Sequence, residues 1–352
     1  MSNKKGVKMA AKNGVIGVGV IGLGIMGQLH ARIYQEMQDT QLVGVMDSDV
    51  AKCKTVANEL GTKAFCTLDE MLSDPSIKAI SVATPDHVHY QIVMACLQAQ
   101  KHVLVEKPLA TNLEEARKMV EMAKKTGCIL MVNYNNRWGL LYQITKKLID
   151  DGKIGEIMCA YARKYNNITV PTRMLKWASY TSCVHFLATH DIDMVLWFLN
   201  YPKPIEVYAI GCEKVLRQQG IHGPDLVHAM VRFDNGAFAT FECGWIYPPS
   251  YPTPTEAYMH IIGAKGVIHI ERREENIFVS TYEGVQFPRT CLGGEVDGRY
   301  QGALRSALEH FIRAVKSGHQ PETCGERALI AVEIATAIHR SLEDKRPVSL
   351  PV

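Results

Sequence analysis

The residues whose types and spacing could do chemistry stand where apolar runs end. Lys107, in Glu106-Lys107-Pro108, follows Val103-Leu104-Val105. An ammonium at such a cleft edge can stabilise the alkoxide that develops when a secondary alcohol loses its proton and a hydride. His190, in Ala188-Thr189-His190-Asp191-Ile192-Asp193, opens a helical pattern, and its imidazole titrates near neutrality, so it can accept such a proton. The run Val15 to Gly27 offers a seat for a dinucleotide. Two G-x-G-x-x-G readings overlap in it, Gly17/Gly19/Gly22 and Gly22/Gly24/Gly27, and only the second leaves a full strand ahead of the turn. Gly22 then permits the tight turn, Gly24 the close approach of a pyrophosphate, and Gly27 close packing of the helix. The helix start at Ile25-Met26 presents unpaired N–H groups to the anion.

A second apolar run, Leu42 to Met46, ends in Asp47, about twenty residues past the last glycine, where such folds place the carboxylate that accepts the adenosine-ribose hydroxyls. Asp49 follows, and no Arg or Lys appears until Lys52, so a ribose 2′-phosphate would meet two carboxylates and no obvious cation. NAD is expected rather than NADP. Ser48 or Asp49 can cap the following helix and leave Asp47 free.

These positions need a frame. Strands are expected at Val15–Ile21, Leu42–Met46, near Ala64-Phe65, Ala79–Ala83, Val103–Val105 and Ile129–Val132. They alternate with helices at Gln28–Gln38, Val50–Leu60, Leu68–Leu72, His89–Ala99 and Leu113–Thr126, which makes a doubly wound parallel sheet over residues 1–135. Residues 136–352 read instead as an α+β domain on a large, mostly antiparallel sheet. Its strands are Met158–Tyr165, Glu206–Cys212, Leu226–Phe233, Ala237–Trp245, Tyr258–Ile262 and Val267–Glu271, with a hairpin at Asp234-Asn235-Gly236. Helices are expected at Leu140–Asp150, Thr189–Phe198, Leu304–Ser317 and Ala328–Glu343. The proline-rich stretch from Tyr247 to Pro254 is an irregular edge or an arm.

Composition narrows the classes. With 352 residues, 47% of them hydrophobic and 21% charged, the chain has enough material for two cores. A net charge of +3 without a basic stripe gives no nucleic-acid footprint. The lysines of the leader, Lys4, Lys5, Lys8 and Lys12, precede a glycine-studded run that is needed as a strand, so it reads as neither a signal peptide nor a membrane span. Ten scattered cysteines without a C-x-x-C pair read as free thiols in the cytoplasm.

Three further stretches fall at strand carboxyl ends: Ala83-Thr84-Pro85-Asp86-His87-Val88-His89, Glu106-Lys107-Pro108 and Asn133-Tyr134-Asn135-Asn136-Arg137. With Gly22-Leu23-Gly24 and Thr84-Pro85-x-x-x-His89 at matching spacing, nearly the whole chain resembles the glucose–fructose oxidoreductase, inositol dehydrogenase and rhizopine-catabolism (Gfo/Idh/MocA) family. The resemblance implies hydride transfer between NAD and a CH–OH group of a sugar, glycoside or cyclitol. Runner-up readings are a carbonyl or imine reductase and a non-catalytic dinucleotide sensor. It implies Lys107 as the catalytic lysine, often preceding a cis proline bond, with His190 beside it. The family commonly has an aspartate four residues before that histidine, and this chain has Phe186. Either Asp193, within helical reach of His190, is then the substitute orienter, or Lys107 does more of the proton handling. Substrate contacts are expected from Arg163, Tyr165, Asn166 and His185. Cofactor contacts are expected from Thr84, Pro85, His89, Glu106, Asn135 and Trp177, and Arg137 is placed to pair with Glu106 or with a cofactor phosphate. His87 and His89 lack the partners of a metal site. The exposed sheet face, carrying Val227, Ala229, Val231, Phe238 or Phe241 or their alternates, implies a homo-oligomer, a dimer, tetramer or larger.

If Asp47 holds the ribose diol, NAD binds at least about tenfold more tightly than NADP, the worth of one charge-assisted hydrogen-bond pair. Asp47→Ala narrows that difference; equal affinities in titrations of the unaltered protein would refute the assignment.

Overall fold

The computed structural model describes residues 14–272, 277–287, 290 and 292–352, so the leader lies outside the described residues. The first half alternates as its sequence dictates: β1 (Ile16–Ile21), α1 (Ile25–Glu36), β2 (Thr40–Met46), α2 (Val50–Glu59), β3 (Lys63–Ala64), α3 (Leu68–Ser73), β4 (Ala79–Val82), α4 (His89–Gln98), β5 (His102–Val105), α5 (Leu113–Thr126) and β6 (Leu130–Val132). These strands form one parallel sheet in the order β3-β2-β1-β4-β5-β6. Val18, Val20, Ile80, Val82, Val103 and Val105 are buried, as strands covered by helices on both faces require. The reversal of strand order at β1 and β4 opens a crevice at their carboxyl ends. The ends of α5 are set locally: Asn112 caps it by accepting from Glu115 N at 3.1 Å, and Gly127 ends it at φ +68°.

Beyond α6 (Leu140–Asp150) come β7 (Ile157–Asn167), α7 (Thr189–Phe198), β8 (Pro204–Cys212), β9 (Leu226–Phe233), β10 (Phe238–Tyr247), β11 (Thr255–Gly263) and β12 (Gly266–Glu271). Two small hairpins follow that the sequence pattern does not announce, β13 (Val279–Thr281) with β14 (Gly284–Gln286) and β15 (Gly294–Val296) with β16 (Arg299–Gln301). Then come α8 (Ala303–Ser317), α9 (Gly325–Asp344) and β17 (Val348–Ser349). The second sheet runs β12-β11-β7-β10-β9-β8-β17, antiparallel at every neighbour except β7 with β10. The proline-rich stretch is the irregular connection between β10 and β11.

Register decides which face each residue serves. Val227, Ala229, Val231 and Phe241 point to the buried, helix-covered side, so they are not the open face; Phe238, Met230 and Tyr258 lie on the other side. Along β7, Ala160, Ala162 and Lys164 turn inward, while Tyr161, Arg163 and Tyr165 turn outward. Packing does not follow the sequence cut at residue 135. Leu304, Leu308 and Phe311 of α8 share a core with Val18, Val20, Leu104 and Met131 of the first sheet.

A buried ion pair ties the segment just past β6 to α7. Arg137, just past β6, is 1% exposed and donates from Nε to Asp193 Oδ2 at 2.8 Å and from Nη2 to Oδ1 at 2.5 Å. Burial works against the guanidinium's charge, and Asp193 outweighs it, so the group is held protonated more firmly than usual. Two expectations change: Asp193 does not orient His190, and Arg137 reaches neither Glu106 nor a cofactor phosphate. Asp193→Ala strands a buried cation and lowers unfolding stability by about 3–5 kcal/mol in urea titrations. The paired replacement Arg137→Met with Asp193→Leu recovers most of that loss; an unchanged midpoint for Asp193→Ala would show that the pair does not hold the segment after β6 to α7.

Candidate active site

The glycine turn is built by close approach. A Cβ at Gly27 would lie 1.7 Å from the Gly22 carbonyl oxygen, and one at Gly22, where φ is +86°, would lie 2.6 Å from that of Ala83. Gly24 is different: a Cβ there meets nothing within 4 Å, so no protein neighbour demands a glycine. The space a side chain would fill lies at the start of α1, which has no side-chain cap. Bare helix N–H groups facing open space fit a pyrophosphate. Asp47 stands beside the turn, accepting from Leu23 N at 2.7 Å and from Asp49 N at 2.8 Å, while Asp49 caps α2 by accepting from Lys52 N. Lys52 Nζ lies 2.8 Å from Asp47 Oδ2, so a cation does stand at the ribose position, contrary to the spacing argument. Burial raises the Asp47 carboxyl, and Lys52 with the backbone donors pulls it below its ordinary value.

Beneath the cleft, Glu106 is buried with a full set of partners. His30 Nε2 lies 3.1 Å from its Oε1, Asn133 Nδ2 donates to the same oxygen at 2.7 Å, and His30 Nδ1 meets Ser81 Oγ at 2.7 Å. Burial pushes Glu106 up, but the His30 and Asn133 hydrogen bonds bring it below the usual carboxylate value. Glu106 is therefore a support for the turn, its carboxylate taken up by protein partners. The Lys107–Pro108 bond is cis. His89 is fully buried with Nδ1 2.9 Å from Pro108 O and Nε2 3.1 Å from Thr84 O, so its ring sits between the two loops and its one N–H, burial favouring the neutral ring, donates to one of these carbonyls. It positions Thr84 and Lys107 and does not present its nitrogens to a nicotinamide.

Lys107 Nζ reaches across to the second half, donating to Phe186 O at 2.7 Å and lying 3.9 Å from the Phe186 ring centre. Burial lowers its ammonium to about 8, Glu106 and Asp86 oppose that, and Lys164 reinforces it. Lys164, 4% exposed, pairs with Asp191 inside the core. Asp86 is also buried; its Oδ2 accepts from Thr181 Oγ1 at 2.6 Å, and its Oδ1, with His87 Nδ1 4.0 Å away, has no hydrogen-bond partner. Burial raises the Asp86 carboxyl. Thr84 Oγ1 and Asn135 Oδ1 are likewise buried without partners at the cleft, donor and acceptor capacity that a bound dinucleotide or substrate would use.

Other expected residues divide. His190 is half-buried at the start of α7, its ring edge-on to Tyr134 at 6.2 Å. Trp177 packs against Phe186 and His87, forming with Tyr180 and Trp245 an aromatic wall. Asn166 spends its Nδ2 on Pro254 O and Thr255 Oγ1 and keeps a buried Oδ1 without a partner. Arg163 and Tyr165 are on the outer sheet face, paired with Glu256 and Glu242, and leave the site to their neighbour Lys164. His185 turns away from Lys107 and stacks on His339 at 4.4 Å. The residues the sequence reading missed are His30, Asp86, Thr181 and Lys164. Lys164 had a signal, being in register with inward-facing Ala160 and Ala162, and Asp86 stood within the stretch placed at a strand's carboxyl end.

The models of two halves of one family match, the NAD-binding Rossmann fold of an oxidoreductase family over residues 16–134 and its C-terminal α/β domain over 146–350. The chain belongs to the Gfo/Idh/MocA oxidoreductase family. It is 29% identical to a myo-inositol 2-dehydrogenase of Thermotoga maritima, over 95% of this chain and 98% of that one. It is 27% identical to the scyllo-inositol 2-dehydrogenase (NAD(+)) of Bacillus subtilis, over 95% and 96%. The solved scyllo-inositol dehydrogenase of Lactobacillus casei, with bound NAD(H) and scyllo-inositol, shares the fold at a TM-score of 0.82 and 23% identity, over 96% and 100%. The chain is an NAD-dependent oxidoreductase.

Charge around Lys107 sets its protonation, so its neighbours move it with known sign. Asp86→Asn removes an anion that favours the ammonium, and the midpoint of the pH dependence of oxidation falls below the unaltered value near 8. Phe186→Asp adds an anion beside Nζ and raises it by roughly one to three pH units. Identical profiles for all three proteins would exclude Lys107 as the titrating group.

Proposed function

We propose that this family member oxidises a ring CH–OH group to the ketone, with a cyclitol as the first substrate class and a sugar or glycoside as the wider one. The observation that carries the reading is Lys107, whose desolvated amine, lowered to about 8, stands at the mouth of the glycine-built crevice. Bound NAD supplies the hydride acceptor. Near pH 8 a sizeable fraction of Lys107 is neutral and takes the hydroxyl proton; the resulting ammonium then faces the oxygen as the carbonyl forms, and the reverse reaction returns that proton. His190 is the second proton-handling group, on the wall opposite β5. Gly22, Gly24, Gly27 and Asp47 hold the cofactor, with Thr84 and Asn135 at the nicotinamide end.

The names of the relatives support the cyclitol, and so does the polar lining left by Asn166 and Asp86. Phe186 replaces a charge by an aromatic face, which packs against C–H edges of a ring and cannot take up a hydroxyl proton. Residues 1–135 carry the cofactor site and 136–352 the substrate wall and assembly surface. The outer sheet face, with Met230 51% and Phe238 45% exposed, is the surface through which copies associate. No helix among the described residues is long and apolar enough to cross a membrane, and the reading places the enzyme in the cytoplasm.

Lys107→Met keeps most of the side chain's volume and removes its amine. NAD binding should persist while NADH formation with myo- or scyllo-inositol falls by about two to four orders of magnitude. Normal turnover in that variant would remove Lys107 from the mechanism, and no turnover by the unaltered protein across cyclitols, sugars and glycosides would remove the reading itself.

A further inference from the structure

A cavity of about 870 Å³ lies between the 179–185 segment, β8 and the end of α9, and neither Lys107 nor His190 lines it. Its inner wall carries a hydrogen-bond chain whose direction can be deduced. His339 Nδ1 lies 2.7 Å from Ala335 O, and a carbonyl only accepts, so Nδ1 carries the proton and Nε2 is bare. Ser182 Oγ lies 2.9 Å from that bare nitrogen and therefore donates its one proton to it. The same oxygen accepts from His185 N at 3.2 Å and faces His185 Nδ1 at 3.5 Å, where it has only lone pairs left to offer. The proton of His185 accordingly sits on Nδ1. Its Nε2 is a lone pair, buried, on a residue 8% exposed, with no partner. Burial and the neighbouring His339 hold the ring neutral.

We propose that this cavity is a second small-molecule site, which takes an uncharged polyhydroxylated ligand with one hydroxyl donating to His185 Nε2. The volume is in the range of ordinary ligand pockets. Glu213 and Glu343 outnumber Lys345 on its lining, so an anionic ligand is repelled. The site adjoins the reaction centre through a single wide helical turn, Val184–Ala188, which turns His185 to the cavity while the Phe186 carbonyl holds Lys107.

The test uses the full chain loaded with NADH, which prevents oxidation, and follows the imidazole Cε1–H resonances during titration with myo-inositol. Saturable shifts of His185 and His339 at millimolar concentration are expected. Leu342→Trp, which fills the cavity from α9, should abolish them. His185→Asn retains a donor toward Ser182 but lacks Nε2, and should weaken the His339 response by roughly tenfold. Binding at the reaction centre would instead perturb His190 and survive both substitutions, so failure here is distinct from failure of the cyclitol reading. Absence of saturable shifts at His185 and His339 would overturn the site. Equal binding of myo-inositol 1-phosphate would overturn the uncharged class.

Discussion

A carboxylate buried at the end of a strand is the constraint on which the centre depends. Glu106 is 8% exposed, and an ion taken that far from water is several kcal/mol less stable unless partners replace the solvent. Here they come from two other elements, His30 from α1 and Asn133 from the end of β6, with Ser81 of β4 behind the imidazole. Satisfying one charge thus fixes the relative positions of β4, β5, β6 and the helix that opens on the glycine turn. Lys107, the next residue, leaves this anchored point in one direction. His89 packs on the other side of the turn, its ring wedged between the Pro108 and Thr84 carbonyls.

The electrostatics above that anchor differ from those of a lysine facing a carboxylate. Phe186 offers Lys107 a carbonyl oxygen and a ring face, a weaker attraction than an ion pair once the ammonium is desolvated. The result is an amine near its midpoint in mildly alkaline water, with Asp86 and Glu106 the anions that keep it from falling further. Lys164 and Asp191 form a separate closed pair on the inward side of β7, so the second lysine adds repulsion without offering a free anion.

How much of this was legible follows from the range of the interactions. Local signals were sufficient for the first sheet: unbroken apolar runs, glycines where backbones touch, and caps such as Asn112 and Gly127. They put Lys107 at the end of β5 and Gly24 at the start of α1. They were weak on β7, where Tyr161, Arg163, Lys164, Tyr165 and Asn166 are polar or aromatic on both faces, so only the small residues Ala160 and Ala162 marked which side turns inward. A slip of one residue assigned Arg163 and Tyr165 to the site in place of Lys164. Asp193 failed for a different reason: at i+3 from His190 it is near in sequence, yet its partner Arg137 lies 56 residues away and offers a bidentate geometry that no i+3 pair matches. His185 was misplaced because the turn before α7 is wider than an α-helical one, which rotates its side chain away from the face that Phe186 occupies.

The position of α8 bears on how the protein comes into being. One face of the first sheet is completed by a helix that begins at residue 303, whereas the last strand of that sheet ends at residue 132. A ribosome adding about 5–20 residues per second takes on the order of ten to thirty seconds to span that interval. During it, Val18, Val20, Leu104 and Met131 are made but lack the cover that Leu304, Leu308 and Phe311 provide. The nascent chain therefore carries an apolar surface through about half of its synthesis, a stage at which a holding chaperone has something to hold, and the nucleotide-binding half matures only when the chain is almost finished.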